Sequence, residues 1–396
     1  MFTNKKLISN QILPEINFKD TLYLWAQIPW IRSQKQLNFS EFFGTDGYIL
    51  TNTARSALGV LISELKLSKN KKIGIPAFCC CVMATPFLQA GYQIEWIDTD
   101  KNGIIDPHDF ESKASNVSLL LAPHIFGQAA PMLELHRIAQ AHDIFVVEDC
   151  AHRLPDAGWN ADARLYSFGR EKIVSCVSGG ALVINPTSKL SSSQVPKFSS
   201  SLPSASLSWT LRYMLHPMIY NLSLPWWFWG GKLLPWIFQK LKGLPLAVTP
   251  LEKNGAEDVP LERLSYPHQK LLRRKIGIMN KKIDHREAMS KLWENVLTSS
   301  LSIPQKDIII PDNHFRTIIR INPSFKLMFL KKAKQFGMHL REWDGNPISP
   351  DGTNLEAFGY QKGQCPNAEK FAQNYLTLPT NSRVSGKDIV GFGKIF

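Results

Sequence analysis

Two short stretches hold the residues best placed to do chemistry. One is Val147-Glu148-Asp149-Cys150-Ala151-His152; the other is Ser167-Phe168-Gly169-Arg170-Glu171-Lys172, followed by Gly179-Gly180. The apolar run 144–147 has the signature of a buried strand and leads straight into Glu148 and Asp149. Carboxylates at the carboxyl end of a parallel strand lie where such sheets bind ligands. A second apolar strand, residues 181–184, follows Lys172 and the glycine pair. A carboxylate and a lysine thus come from adjacent connections that one sheet edge can join. Taken singly, the lysine also reads as a solvated surface charge and Asp149 as a turn cap.

The elements that must position them alternate in type. Residues 54–65 have helical periodicity, with Ala57, Leu58, Leu61, Ile62 and Leu65 apolar, and precede a basic turn at 68–72 and an apolar strand at 73–78. Helix 82–90, strands 93–97 and 117–122, helix 133–141 and strand 144–147 follow. This order predicts an α/β fold with a mostly parallel central sheet. Residues 267–297 read as one long basic helix that bridges to a strand at 317–322, a helix at 325–336 and a terminal helix around 367–375, a compact α+β unit. The expected division is therefore a large domain over 1–265 and a bridging helix with a small C-terminal domain over 266–396. No repeat of fixed period occurs, and neither a Walker loop nor a G-x-G-x-x-G turn supports nucleotide hydrolysis.

Composition bounds the remaining classes. The chain has 396 residues, 44% hydrophobic and 20% charged, which excludes a disordered tail or a disulfide mini-protein. Lys plus Arg number 46 against 33 for Asp plus Glu, a net charge of +13 that suits an anionic partner: nucleic acid, a phosphorylated metabolite or anionic lipid. Cys79, Cys80 and Cys81 are consecutive, and Cys150, Cys176 and Cys365 are scattered without metal-ligand spacing; this predicts reduced thiols in the cytoplasm. The start, Met1-Phe2-Thr3-Asn4-Lys5-Lys6, leads into polar sequence and predicts no secretory signal.

Charge and aromatics are uneven. From Lys172 to Leu251 there is no Asp or Glu, while Lys172, Lys189, Lys197, Arg212, Lys232, Lys240 and Lys242 fall in that stretch with Trp209, Trp226, Trp227, Trp229 and Trp236. Pro225, Pro235, Gly230-Gly231, Asn221 and Lys232 interrupt the apolar residues between 217 and 238, so a spanning helix is not expected. Two readings of this Trp-rich insertion, at about 190–260, stay open. One is a segment at residues 205–245 lying on an anionic membrane surface, with Trp226, Trp227 and Trp229 inserted; the other is a hydrophobic excursion buried in a dimer interface or over an active site.

The two chemical stretches, in order, resemble those of the DegT/StrS-type sugar aminotransferases, which are fold-type I pyridoxal-phosphate enzymes. The family pattern is E-D-x-A-[QH] at a strand end, S-F-x-x-x-K, then G-G before a strand. Further likenesses are Thr53-Ala54-Arg55-Ser56-Ala57-Leu58, Ile75-Pro76-Ala77-Phe78, His124-Ile125-Phe126-Gly127-Gln128, Gly363-Gln364-Cys365-Pro366-Asn367-Ala368-Glu369 and Leu376-Thr377-Leu378-Pro379. The resemblance covers most of residues 45–185 and 265–390. It implies a fold-type I large domain and a smaller C-terminal α+β domain. It also implies pyridoxal 5'-phosphate as cofactor, held by Lys172 as a Schiff base, with Asp149 facing the pyridine nitrogen and His152 beside the ring. Ala54 and Arg55, at a helix start, and the Ser167 hydroxyl would take the phosphate. The implied reaction moves an amino group from an amino acid, glutamate by preference, to a keto-sugar on a nucleotide or lipid-linked phosphate, in a cytoplasmic homodimer.

The chain departs from the pattern at three points. Cys80 stands where the family has an aromatic residue stacked on the cofactor, Ala54 and Arg55 replace the usual glycine and threonine of the phosphate turn, and the Trp-rich insertion replaces an N-H-G loop. These departures motivate an alternative, an inactive or merely cofactor-binding scaffold beside a membrane glycan system. A nucleic-acid-binding module is disfavoured, because the basic residues match no known binding motif.

Overall fold

The computed structural model describes residues 7–9, 15–155, 158–188, 190, 201–256, 259–340 and 345–396. Met1 to Lys6, Lys189 and Lys197 lie outside the described residues. Seven strands, β1 (Tyr48–Thr51), β2 (Lys72–Pro76), β3 (Ile94–Ile97), β4 (Val117–Pro123), β5 (Phe145–Asp149), β6 (Ala163–Ser167) and β7 (Gly180–Ile184), make one sheet in the order β1-β7-β6-β5-β4-β2-β3. β7 runs antiparallel to both neighbours and every other adjacent pair is parallel. Side chains alternate between the two faces, so Leu119, Leu121 and Val147 enter one core and Leu120, Ala122 and Val146 another. Both faces are covered, which is why these strands read as continuous apolar runs.

Helix Ala54–Leu65 forms as its periodicity predicts. The Thr53 side chain caps it by accepting from the Ser56 N–H, and Ala57, Leu58, Leu61 and Ile62 are buried. Two expected helices are broken. Residues 82–90 form a 3-10 turn, Cys81–Met83, and a separate helix, Thr85–Gln89, because Pro86 starts a new helix more readily than it continues one. The long bridging helix is two helices, Tyr266–Ile276 and Met279–Ser299. The break falls at Gly277, a poor helix former, and lets Leu271 and Leu272 serve the core of the large sheet while Trp293 and Leu297 serve a second core. That second core covers a three-stranded antiparallel sheet, β8 (Ile308–Ile309), β9 (Arg316–Arg320) and β10 (Tyr375–Pro379).

The Trp-rich insertion folds as helix Leu207–Ser223, a 3-10 turn Leu224–Trp229, and helix Leu233–Lys240. Its first helix is bound to the N-terminal helix Phe18–Trp25: Trp25 Nε1 donates to the Met214 carbonyl at 3.1 Å and Asn221 Nδ2 to Thr21 Oγ1 at 3.0 Å. No described helix is long and apolar enough to cross a membrane. Of the three tryptophans expected to insert, Trp226 and Trp229 are exposed, at 66% and 74%. Trp227 is not: it turns inward, its ring parallel to that of Tyr220 with centroids 6.4 Å apart.

Candidate active site

The site lies at the carboxyl edge of the sheet, where β5, β6 and β7 meet the start of helix Ala54–Leu65. β-Strand alternation puts Glu148 and Asp149 on opposite faces. Glu148 accepts from Arg164 Nε at 2.7 Å and bonds His124 Nε2 at 3.0 Å, while His124 Nδ1 accepts from the Ala130 N–H at 3.0 Å. Burial alone would raise the Glu148 pKa, but His124 and Arg164 together hold it below the usual range. His124, Glu148 and Cys150 are close enough to suggest a metal site, yet both imidazole nitrogens are engaged and the Arg164 cation occupies the carboxylate. They are a structural network.

Asp149 faces the other way, buried, with its carboxylate accepting the Ala151 N–H at 2.9 Å. Burial raises its pKa, opposed by that hydrogen bond and by the charge of Lys172. Lys172 sits in the loop between β6 and β7, half-buried, its pKa lowered by the protein packed around it and partly restored by Glu171 and Asp149. Of the residues singled out in the sequence, Ala54, Arg55, Cys80, His152, Ser167 and Lys172 are all half-buried, while Asp149 is buried.

The glycine pair has a packing reason. Gly180 pairs with Ser167 on one side and Thr51 on the other, so the end of β6 and the start of the helix share one row. A Cβ on Gly180 would meet the Ala54 backbone nitrogen at 2.4 Å; only glycine lets the helix end approach the sheet so closely. At that helix end the Ser56 N–H is taken by Thr53 Oγ1 and the Ala57 N–H by the Thr53 carbonyl, while the N–H groups of Ala54 and Arg55 precede the first intrahelical bond. Arg55's guanidinium pairs with buried Glu252, from the last part of the Trp-rich insertion. Its side chain is therefore already committed, a pairing that no local spacing signals.

His152 is held by its neighbours. Its ring lies parallel to Phe315 with centroids 4.7 Å apart and to Phe126 at 6.1 Å, and Nδ1 accepts the Phe126 N–H at 3.2 Å. Burial, then the charges of Lys172 and Arg316, push its pKa well down, so it is neutral. Arg316 was not foreseen. It opens β9, is buried, pairs with Glu171 at 3.0 Å and lies over the rings of Phe126 and Phe315. The only local signal is an arginine at each end of the short strand R-T-I-I-R.

Cys80 is the least buried of six free cysteines. A hydrogen bond with Cys81 pulls its pKa down to about 7 against the effect of burial, helped by the Val82 N–H, Lys172 and Arg55. Burial pushes Cys79, Cys150, Cys176 and Cys365 up. Iodoacetamide should therefore modify Cys80 first, at a rate that climbs with pH through about 7 as the thiolate forms and then levels off. Peptide mass mapping at several pH values checks this; uniform labelling of all six, or a rate still rising steeply above pH 9, would contradict it.

With this geometry in hand, comparison with known proteins places the chain. Residues 34–193 match the model of the DegT/DnrJ/EryC1/StrS aminotransferase family. The GDP-perosamine synthase of Vibrio cholerae is 22% identical over 158 residues, 38% of this chain and 43% of that protein. The UDP-4-amino-4,6-dideoxy-N-acetyl-beta-L-altrosamine transaminase of Campylobacter jejuni is 25% identical over 153 residues, 36% and 40% of the two chains. The matched stretch thus spans well under half of these relatives. Likeness of fold extends much further: Helicobacter pylori PseC, an aminotransferase involved in pseudoaminic acid biosynthesis, superposes with a TM-score of 0.67 at 14% identity, covering 99% of this chain and 100% of that one. A Streptococcus pneumoniae protein solved in a PLP form gives 0.72 at 14% identity, covering 99% and 97%. The architecture is the expected fold-type I α/β fold.

Proposed function

We propose that the protein is a pyridoxal-phosphate-dependent aminotransferase that moves an amino group from an amino acid, glutamate by preference, to a keto-sugar carried on a nucleotide or lipid-linked phosphate. The observation that carries this reading is the convergence of Lys172, buried Asp149 and the Ala54, Ser167 and Gly180 cradle at one sheet edge. The cradle suits a phosphate: two backbone N–H groups at a helix start, a hydroxyl in the adjoining row, and a glycine between them that lets the helix end approach that row closely. When bound, pyridoxal phosphate supplies an aldehyde and an electron-withdrawing ring.

This chain's residues then divide the work. Lys172 would be the amine that holds the cofactor's aldehyde, with release of water, and the base that moves a proton during transfer; its lowered pKa increases the neutral, nucleophilic fraction. Asp149 would face the ring nitrogen and favour its protonated form, since a carboxylate buried this deeply gains most from a cationic partner. Ala54 and Arg55 give backbone N–H groups and Ser167 its hydroxyl to the phosphate. His152, neutral and braced between Phe126 and Phe315, walls the ring's side, and the Cys80 thiol stands where relatives place an aromatic ring. We read the chain as a large unit over 1–265 and a smaller one over 266–396. We further read it as a homodimer in the cytoplasm, placed at the inner face of the membrane through residues 205–245.

The test is direct. Protein mixed with pyridoxal phosphate should develop a visible absorption band, and borohydride reduction followed by peptide mapping should leave the cofactor on Lys172. No band and no label would overturn the reading in favour of the scaffold alternative.

A further inference from the structure

Among the described residues, the insertion exposes a run of large apolar side chains. Helix Leu233–Lys240 and the residue after it expose Leu233, Trp236, Ile237, Lys240 and Leu241, a spacing of three, four, seven and eight that lines one helical face. Its inward residues, Leu234 and Phe238, pack on Tyr220 and Ile219. The helix is apolar on both sides, and the preceding turn adds exposed Trp226 and Trp229. The flanking charges are all of one sign: Lys232, Lys240 and Lys242 are exposed, and no acid occurs between Lys172 and Leu251. Lys240 Nζ reaches back to 5.9 Å over the Trp236 ring, an ammonium at the rim of an apolar strip.

From these observations we infer that the ridge formed by Trp226, Trp229, Leu233, Trp236, Ile237 and Leu241 seats in the headgroup–acyl boundary of an anionic bilayer. Tryptophan and lysine at an apolar edge are suited to that boundary, and the short helix lies in it instead of crossing. A second copy of the chain fits less well. A two-fold contact centred on this face would bring Lys232, Lys240 and Lys242 against their own counterparts, with no acid in the segment to offset them. Anionic headgroups supply that charge. The insertion that carries the ridge touches the loop of the candidate site: Arg170, two residues before Lys172, donates to the Pro245 carbonyl at 2.5 Å and feels Tyr213 and Tyr220. The inference rests on the membrane placement proposed above and is independent of what Lys172 does.

The experiment is flotation of the full chain with vesicles of phosphatidylcholine alone or with one-third phosphatidylglycerol, together with tryptophan quenching by brominated lipid. Binding to the anionic vesicles with quenched emission is expected. The triple variant Trp226→Ser, Trp229→Ser, Trp236→Ser should lower the partition coefficient by at least about tenfold, in proportion to the apolar area withdrawn from the lipid. A second variant, Lys232→Gln, Lys240→Gln, Lys242→Gln, lies wholly on the exposed face and should abolish the preference for anionic lipid while leaving the circular dichroism spectrum unchanged. Absence of flotation, or flotation unaltered in both variants, would overturn the inference. So would a parent that ignores vesicles but drops to a smaller oligomer when the three tryptophans are replaced, which would assign the ridge to a second copy.

Discussion

A Lys172→Ala protein is expected to retain its fold, to take no covalent label from pyridoxal phosphate and borohydride, and to lose at least about a thousandfold in amino-transfer rate, as loss of a covalent-catalytic group commonly does. The fold should survive because Lys172 is half-buried and its backbone N–H bond to the Gly169 carbonyl, 3.2 Å, does not involve the side chain. Removing the ammonium takes a favourable charge away from Asp149, whose pKa should rise further, and relieves His152 of an unfavourable one. Lys172→Arg makes the sharper comparison. It restores the cation but no attachable amine, so it should recover charge-dependent properties without recovering the label. In the unaltered protein the amine's lowered pKa places the rise in rate with pH below the range of an ordinary lysine. If Lys172→Ala still transaminates, or the label falls on another lysine, the assignment fails.

The largest expected loss of stability lies away from the chemistry, at Glu15. Its buried carboxylate bonds Lys282 Nζ at 2.9 Å, Ser382 Oγ at 3.2 Å and the Arg286 guanidinium. Glu15→Gln strands two buried cations and should cost about 3–5 kcal/mol, read as a lowered urea midpoint. Burial alone would raise the Glu15 pKa, but Arg286 and then Lys282 more than offset it, and the group falls from 4.5 to about 2. A carboxyl with a depressed folded-state pKa stabilises the protein above its unfolded pKa and loses that contribution as pH falls toward the folded one. The contribution, about 3 kcal/mol at one pKa unit per 1.36 kcal/mol, should therefore be intact above pH 5 and disappear between about pH 4.5 and 2. A Glu15→Gln protein should show a correspondingly flatter acid limb; identical limbs would refute the assignment. The same cluster reaches the candidate site: the Glu15 N–H donates to the Arg170 carbonyl, and Arg286 Nη1 donates to the carbonyl of Phe315, the ring against which His152 stacks.

Much of the architecture and of the candidate site is written in neighbouring residues. The period of residues 54–65 specifies a helix because one face must be apolar, and the apolar runs before Asp149 and after Gly179 specify strands because they are buried on both faces. The two-residue alternation of a strand likewise separates Asp149 from Glu148 before any coordinates are known. Gly180 could be read as required, although its reason, the Ala54 backbone 2.4 Å from a missing Cβ, could not.

What the tertiary structure alone decided are pairings between residues far apart in the chain. Arg316 meets Glu171, Arg55 is taken up by Glu252, and Glu15 closes on Lys282 and Arg286. It also decided which way each aromatic of the insertion turns, Trp227 inward onto Tyr220 and Trp226 and Trp229 outward, and it divided the bridging helix at Gly277 to serve two cores. The physical reason is the range of the forces involved. Backbone hydrogen bonding and apolar periodicity act over a few residues and leave a mark in local order, whereas an ion pair or a ring stack depends only on which surfaces packing brings together, and spacing along the chain does not record that.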